Sequence, residues 1–191
     1  MDLSQYVLEA LRTDEEFVLY RSAGSNHSGL PSILLLAPAS MRPAPEILRK
    51  IEHEYSLRDE LDSAWAVRPL ALSELRGRAT LVLEDPGGET LDRFLPGPME
   101  IMQFLRLAFG LATALGGLHR RELIHKDVKP TNVLVNPATG QVRLMGFGDR
   151  FATSAGAAMS EPPAEHCPTW LPNRRDEQIV RSICGVTFYA V

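Results

Sequence analysis

The chain has 191 residues, 45% of them hydrophobic and 23% charged, which is ordinary for a soluble globular domain. A formal net charge of -4 and a pI near 5.7 exclude a globally basic surface, so we expect no nucleic-acid partner. The start of the chain lacks the basic and apolar regions of a signal peptide, and Cys167 and Cys184 lack metal-ligand spacing. We therefore expect a cytoplasmic protein with two free thiols, one disulfide being the alternative.

The first forty residues predict a short helix and then a hairpin. Leu3, Val7 and Leu11 recur every four residues, so we expect a helix over 1–13. Two apolar runs, 17–20 and 33–36, predict strands, and the polar segment between them predicts a long hairpin tip.

The middle of the chain predicts a helix and a second pair of strands. Pro43 and Pro45 mark a loop, and the apolar positions that follow have helical spacing from 46 to 61. Strands are predicted over 67–72 and 80–83, separated by a turn at Arg76-Gly77. The stretch Glu84-Asp85-Pro86-Gly87-Gly88 breaks the pattern and is typical of a hinge.

A second helix is predicted over 101–119. Gln103 and Arg106 interrupt its apolar run, so we expect a buried helix and no membrane span. A loop over 125–132, strands over 133–135 and 142–144, and a turn over 136–140 follow. The apolar positions of this helix that we expect to be mostly buried are Leu105, Leu107, Ala108, Leu111, Ala114, Leu115 and Leu118.

The loop over 125–132 carries the most specific pattern, H-x-D-x-K-P-x-N. In phosphoryl transfer, an aspartate accepts the proton of the attacking hydroxyl, and an asparagine five residues later reaches a magnesium ion. A lysine two residues after the aspartate can steady the transferred phosphate. Taken singly, each residue also has a purely structural interpretation; His125, for example, would pack within the loop.

These residues resemble the eukaryotic-type serine/threonine protein kinase superfamily. More narrowly, the chain resembles the kinase-like module at the N-terminus of bacterial signalling proteins that also carry an ATPase domain and a sensor histidine kinase. The resemblance covers roughly residues 15–150 and implies an α+β, two-lobed fold that binds ATP and Mg²⁺. It also implies neighbouring ATPase or sensor kinase domains as partners. The residues that carry it are Glu52-His53-Glu54-Tyr55, Leu81-Val82-Leu83-Glu84, Leu118-His119 and the stretch from Leu123 to Gly148.

The resemblance assigns four site residues. Asp127 and Lys129 are the catalytic pair, and Asn132 is the magnesium ligand. Glu84 falls where the hinge backbone of the family meets the adenine, a plain loop carboxylate being the alternative.

Three departures from the family pattern predict weakened binding of ATP and Mg²⁺. Gly146 stands where the family has the aspartate that binds magnesium, and Leu36 stands where it has a lysine. Without that lysine, we expect Glu54 to be a solvated charge on its helix. The segment from Ala23 to Gly29 does not match the glycine-rich loop, and we interpret it as turn chemistry.

We divide the chain into an N-terminal lobe over 1–86, the start of a C-terminal lobe over 87–150, and a degenerate tail over 151–191. The tail lacks the family motifs, so we expect a truncated C-terminal lobe and poor order beyond residue 150. One codon choice for 169–177, read one base over, restores the family's activation-segment end. A frameshift between about His166 and Ile183 is therefore our hypothesis, which one clean frame on resequencing would contradict.

Three interpretations of function remain open at this stage. The first is a pseudokinase-like regulatory module that works through contacts with neighbouring domains. The second is an active ATP-dependent serine/threonine kinase that uses Asp127, Lys129 and Asn132. The third is a fragment with no independent function. Loss of a lysine and a metal carboxylate together favours the first.

Overall fold

The computed structural model describes residues 3, 6–23, 31–94 and 99–148. Several predictions lie outside these residues: the poorly ordered tail over 151–191, the hypothesis of a frameshift within it, the state of the two cysteines, and the tip of the hairpin over 24–30. The described part of the chain forms two lobes joined by the predicted hinge.

A five-stranded antiparallel sheet forms the N-terminal lobe, in the order β1-β2-β3-β5-β4. Its central strand β3 is buried along its whole length, as expected for an apolar run covered on both faces. The predicted strands and the turn at Arg76-Gly77 are confirmed, with longer strands than expected. The bounds are β1 Val7–Thr13, β2 Phe17–Ala23, β3 Ile33–Pro38, β4 Pro69–Leu75 and β5 Arg78–Glu84.

The prediction of a helix over 1–13 is wrong, because residues 7–13 form the edge strand β1 and pair with β2. The four-residue spacing is interrupted by a bulge between Ala10 and Arg12, at which Leu11 is the extra residue. Asp14 then closes a tight turn, because its Oδ1 accepts the backbone N–H groups of Glu16 and Phe17 at 3.0 and 2.7 Å. Pairing with a neighbouring strand therefore overrides the local helical pattern.

Helix α1 spans Pro45–Ser56 and ends five residues before the predicted end. Its buried Ile51 packs into the core of the N-terminal lobe, whereas Leu57 and Leu61 pack into the core of the other lobe. The chain must turn after Ser56 to direct its apolar residues to two different cores, and this shortens the helix.

The second lobe contains a three-stranded sheet in the order β6-β7-β8, a short helix α2 and the long helix α3. The predicted strands and the turn between β7 and β8 are confirmed, whereas β6 and α2 were not predicted. A 3-10 turn, Pro130–Asn132, joins the loop over 125–132 to β7. The bounds are β6 Glu89–Thr90, α2 Leu91–Phe94, α3 Ile101–His119, β7 Val133–Val135 and β8 Val142–Leu144.

Helix α3 lies where it was predicted, but its burial was predicted wrongly. Of the seven apolar positions expected to be mostly buried, only Ala114 and Leu118 are buried. The second half of α3 packs beside β8 and Trp65, so the elements in the described residues leave its first half exposed, with Phe109 76% exposed. By length and composition alone this helix could cross a membrane, a test that the core helices of soluble proteins also pass.

One buried apolar cluster connects the two lobes and is called the cleft-side core below. The N-terminal sheet and α1 contribute most of its residues, and Leu134 and Met145 come from the second lobe. Because both lobes share this core, they pack as one unit around a cleft. The α+β kinase-like fold class is thereby confirmed. The members are Leu19, Leu34, Leu36, Ile51, Val67, Leu81, Leu83, Leu134 and Met145.

Candidate active site

The loop over 125–132 is anchored by a buried histidine. Nε2 of His125 donates to the carbonyl oxygen of Met145 at 3.0 Å, and its ring lies 4.6 Å from that of Phe147. The packing role expected for His125 is confirmed, since its side chain is 2% exposed. This contact holds the loop against the segment that carries Gly146 and Phe147.

The structure brings Asp127, Lys129 and Asn132 together at the mouth of the cleft. Nζ of Lys129 and Nδ2 of Asn132 each lie 2.8 Å from Oδ2 of Asp127. Nδ2 of Asn132 also donates to the backbone oxygen of Asp127 at 2.9 Å. The three residues that the resemblance assigns to the site therefore lie together, with Asp127 in contact with both of the others.

Arg12 is a site residue that the sequence analysis missed. From β1 its Nη1 donates to the backbone oxygen of Thr131 at 2.5 Å and to Oδ1 of Asn132 at 3.0 Å. Its Nη2 lies 3.3 Å from Oδ2 of Asp14, and its side chain is only 7% exposed. The turn signal of Asp14 could have revealed a strand before residue 14, but no local pattern links Arg12 to a loop 120 residues away.

The hairpin over the cleft is β1–β2, and its tip is acidic. Asp14, Glu15 and Glu16 line the cleft, and Nζ of Lys50 on α1 lies 2.7 Å from Oε2 of Glu16. The segment considered at the sequence level, Ala23 to Gly29, follows the opposite end of β2. Carboxylates therefore occupy the place where a kinase presents backbone N–H groups to the phosphates of ATP.

Glu54 is buried, and the expectation of a solvated helix charge is wrong. Its side chain is 2% exposed, on the same face of α1 as Ile51, and it lines the cleft together with Leu36. Its Oε1 accepts the backbone N–H of Gly146 at 3.2 Å. Burial raises the pKa of Glu54 from 4.5 to about 7, although the backbone N–H groups of Phe147 and Gly146 and the charge of Arg12 act in the opposite direction.

Glu54→Gln is expected to remove a pH dependence of stability. A folded-state pKa of about 7 against 4.5 means that the folded chain binds the extra proton between these values. The contribution of Glu54 to the free energy of unfolding is fully present below about pH 4.5 and is lost as the pH rises through about 7. The free energy of unfolding should change by about 3 kcal/mol over this range. Urea unfolding across this range measures it. Glu54→Gln should make the free energy of unfolding nearly independent of pH in this range and should stabilise the chain at pH 8. Glu52→Gln is the control, because Glu52 is exposed, and it should have neither effect.

Gly146 has a backbone conformation that glycine adopts without strain. Its φ of +80° lies in the left-handed region, and a Cβ there would lie 2.8 Å from Cγ and Oδ1 of Asn132. An aspartate at this position would strain the backbone and would require the side chain of Asn132 to move. Leu36 likewise places a buried apolar side chain at the position of the family lysine.

Glu84 lies at the predicted hinge but not among the residues that line the cleft. Its carboxylate accepts the hydroxyl of Ser63 at 2.7 Å and the backbone N–H of Arg68 at 3.1 Å. Its own N–H donates to the oxygen of Arg68 at 3.0 Å. The preceding Leu83 is fully buried in the cleft-side core. A contact between Glu84 and adenine stays a prediction.

The cleft has a volume of about 400 Å³ and an acidic lining. Arg12, Lys50 and Lys129 provide three cations against five carboxyl groups, those of Asp14, Glu15, Glu16, Glu54 and Asp127. Such a lining can orient a hydroxyl and move a proton at Asp127. In this lining the acidic groups outnumber the basic ones.

Comparison with known proteins identifies related domains. The protein kinase domain family matches residues 39–167, which is more than half of the chain. Serine/threonine-protein kinase pkn2 of Myxococcus xanthus is 33% identical over 58% of this chain and 14% of its own length. Serine/threonine-protein kinase TIO of Arabidopsis thaliana is 34% identical over 63% of this chain and 8% of its own. Peroxide stress-activated histidine kinase mak2 of Schizosaccharomyces pombe is 33% identical over 42% of this chain and 4% of its own. The chain thus spans a small part of each relative.

Proposed function

Because this chain belongs to the protein kinase family, we propose that it is a protein-kinase-like regulatory module whose phosphoryl transfer is impaired. Gly146 carries the proposal. Kinases use ATP with magnesium ions held by an aspartate and an asparagine, and Gly146, which lines the cleft, supplies no carboxylate.

Three further observations support impairment. Leu36, which lines the cleft with Glu54, carries no charge at the place where the resemblance puts a lysine, and the hairpin tip over the cleft is acidic. Oδ1 of Asn132, the remaining metal ligand, already accepts a hydrogen bond from Arg12. Magnesium and triphosphate therefore fit the described residues poorly. Removal of one electrostatic donor typically slows catalysis by roughly 10²–10³-fold.

An active serine/threonine kinase is the second candidate, and the contacts of Asp127 favour it. Its carboxylate holds both Lys129 and Asn132 at 2.8 Å, which is the arrangement that hydroxyl activation needs. For this candidate the same site works at a low rate without the aspartate that binds magnesium.

The setting of the module is also a proposal. A bacterial relative and a histidine kinase relative are both many times longer than the matching region. This supports a cytoplasmic signalling protein in which the module contacts neighbouring ATPase or sensor kinase domains. Nucleic acid and membrane are not expected partners.

Thermal unfolding with millimolar ATP, with and without Mg²⁺, tests the proposal. A ligand that binds only the folded state stabilises it by RT ln(1 + [L]/Kd), so even weak binding raises Tm. We expect no magnesium-dependent rise, and no transfer of labelled γ-phosphate above the background set by Asp127→Asn.

A magnesium-dependent rise that Asn132→Ala abolishes, together with transfer that Asp127→Asn abolishes, would establish the active kinase instead. Lys126→Ala is the matched control, because this residue of the same loop is exposed.

A further inference from the structure

Arg12 joins the N-terminal sheet to the loop over 125–132. The bulge at Leu11 brings Arg12 into register with Leu19, a member of the cleft-side core, so that β1 presents the arginine to the cleft. From there it donates to Thr131 and Asn132, 119 and 120 residues away. These hydrogen bonds span the cleft from one lobe to the other.

The contacts of Arg12 neutralise the centre of an acidic site. A buried guanidinium is stable only where charged and polar partners satisfy it. Asp14 supplies the carboxylate at 3.3 Å, and the loop supplies two oxygen acceptors. Arginine suits this place better than lysine, because its planar fork donates to several acceptors at once.

The guanidinium also competes with a metal ion for the same oxygen. The Asn132 amide cannot turn its other end to a metal, because Nδ2 is held by Asp127 at 2.8 and 2.9 Å. Oδ1 is therefore the atom available for a cation, and Arg12 lies 3.0 Å from it. A metal ion bound to the same oxygen would stand close to the guanidinium, and repulsion between the two positive charges would weaken its binding.

We propose that Arg12 is the built-in cation of this cleft, a latch that holds the two lobes together in place of a complex of metal and nucleotide. The inference deepens the proposed function and rests on it. The two lobes then stay closed without a ligand, so the surface that neighbouring domains contact does not depend on whether a ligand is bound. A divalent cation therefore binds Asn132 more weakly while Arg12 is in place.

A double-mutant cycle between Arg12 and Asn132 tests the latch. Arg12→Met keeps the length of the side chain and removes the fork, and Asn132→Ala removes its acceptor. We expect the two changes to couple by roughly tenfold in the folding equilibrium, since both act on one charge-assisted contact. Arg49→Met is the matched control, because the side chain of Arg49 is 61% exposed, and it should not couple with Asn132→Ala. Additive effects of Arg12→Met and Asn132→Ala would overturn the latch.

A second measurement reads the latch in the unchanged protein, and a variant serves only to assign the signals. In the unchanged protein, a latched guanidinium rotates slowly, so NMR should resolve separate Nη signals for Arg12, assigned by their loss in Arg12→Lys. Averaged Nη signals would overturn the latch.

A titration with Mn²⁺ alone tests whether Arg12 and a metal ion compete for Asn132. The measured signal is the paramagnetic broadening of the NMR resonances of the Asn132 side-chain amide. Arg12→Lys retains a positive charge but cannot occupy both acceptors. We expect broadening at Mn²⁺ concentrations at least several-fold lower in Arg12→Lys than in the unchanged chain. Equal concentrations would overturn the competition. Magnesium-dependent phosphate transfer by the unchanged chain, in contrast, refutes the proposed function and is a separate readout.

Discussion

Gly146→Asp is expected to destabilise the chain by about 2–4 kcal/mol and to leave magnesium binding unrestored. A non-glycine residue in the left-handed region costs about 1–3 kcal/mol, and forcing atoms into a packed site costs a similar amount. At Gly146 both apply, because φ is +80° and the new Cβ would lie 2.8 Å from the Asn132 side chain. The new carboxylate would also lie near that of Glu54, which contacts the backbone of Gly146.

Two matched variants separate these causes in urea unfolding. Gly77→Ala has nearly the same φ, +79°, with nothing within 4 Å of its Cβ, and reports the backbone strain alone. Gly146→Ala adds the overlap with Asn132 but no charge. We expect stability to fall from Gly77→Ala to Gly146→Ala to Gly146→Asp. A Gly146→Asp variant as stable as the unchanged chain, with a magnesium-dependent rise in Tm, would contradict this account.

Leu36→Lys is expected to reverse the effect of neutralising Glu54. Leu36 is 3% exposed and lines the cleft with Glu54, so a lysine there is buried beside that carboxyl group. The new charge favours the ionised carboxylate and lowers the pKa of Glu54 from its raised value of about 7. The single variant should lose about 1–3 kcal/mol, mainly through burial of charge in an apolar core.

The double variant with Glu54→Gln gives the decisive comparison at pH 8. In the unchanged chain Glu54→Gln should stabilise, whereas in Leu36→Lys it should destabilise by about 3–5 kcal/mol, because it leaves a buried charge without its partner. Leu36→Met is the control, since it keeps the volume without the charge and should lose less than about 1.5 kcal/mol. The same sign of effect in both backgrounds would show that position 36 does not face Glu54.

The loop over 125–132 could be predicted from the sequence because its information is local. Asp127, Lys129 and Asn132 lie within six residues, and the chemistry of phosphoryl transfer demands their types and spacing. The same holds for most strands, since a short apolar run with turn residues at its ends is a local signal. Gly146 follows from its distance after the loop, and Leu36 from an alignment that runs backward from His53-Glu54-Tyr55.

Burial could not be read from such local signals. Glu54 was expected in solvent and is buried, while the first half of α3 was expected in the core and is exposed. A helical pattern tells which residues share a face, but packing of the neighbouring elements decides whether that face is covered.

The sequence by itself therefore determined the kinase-like fold, the loop that holds Asp127 and Asn132, and the loss of two family side chains. Only the tertiary structure decided what fills the cleft. The acidic tip of the β1–β2 hairpin and Arg12 reach the site across more than a hundred residues of chain. The physical reason is that strand pairing and one bulge set the direction of Arg12, and the periodicity around residue 12 contains no trace of either.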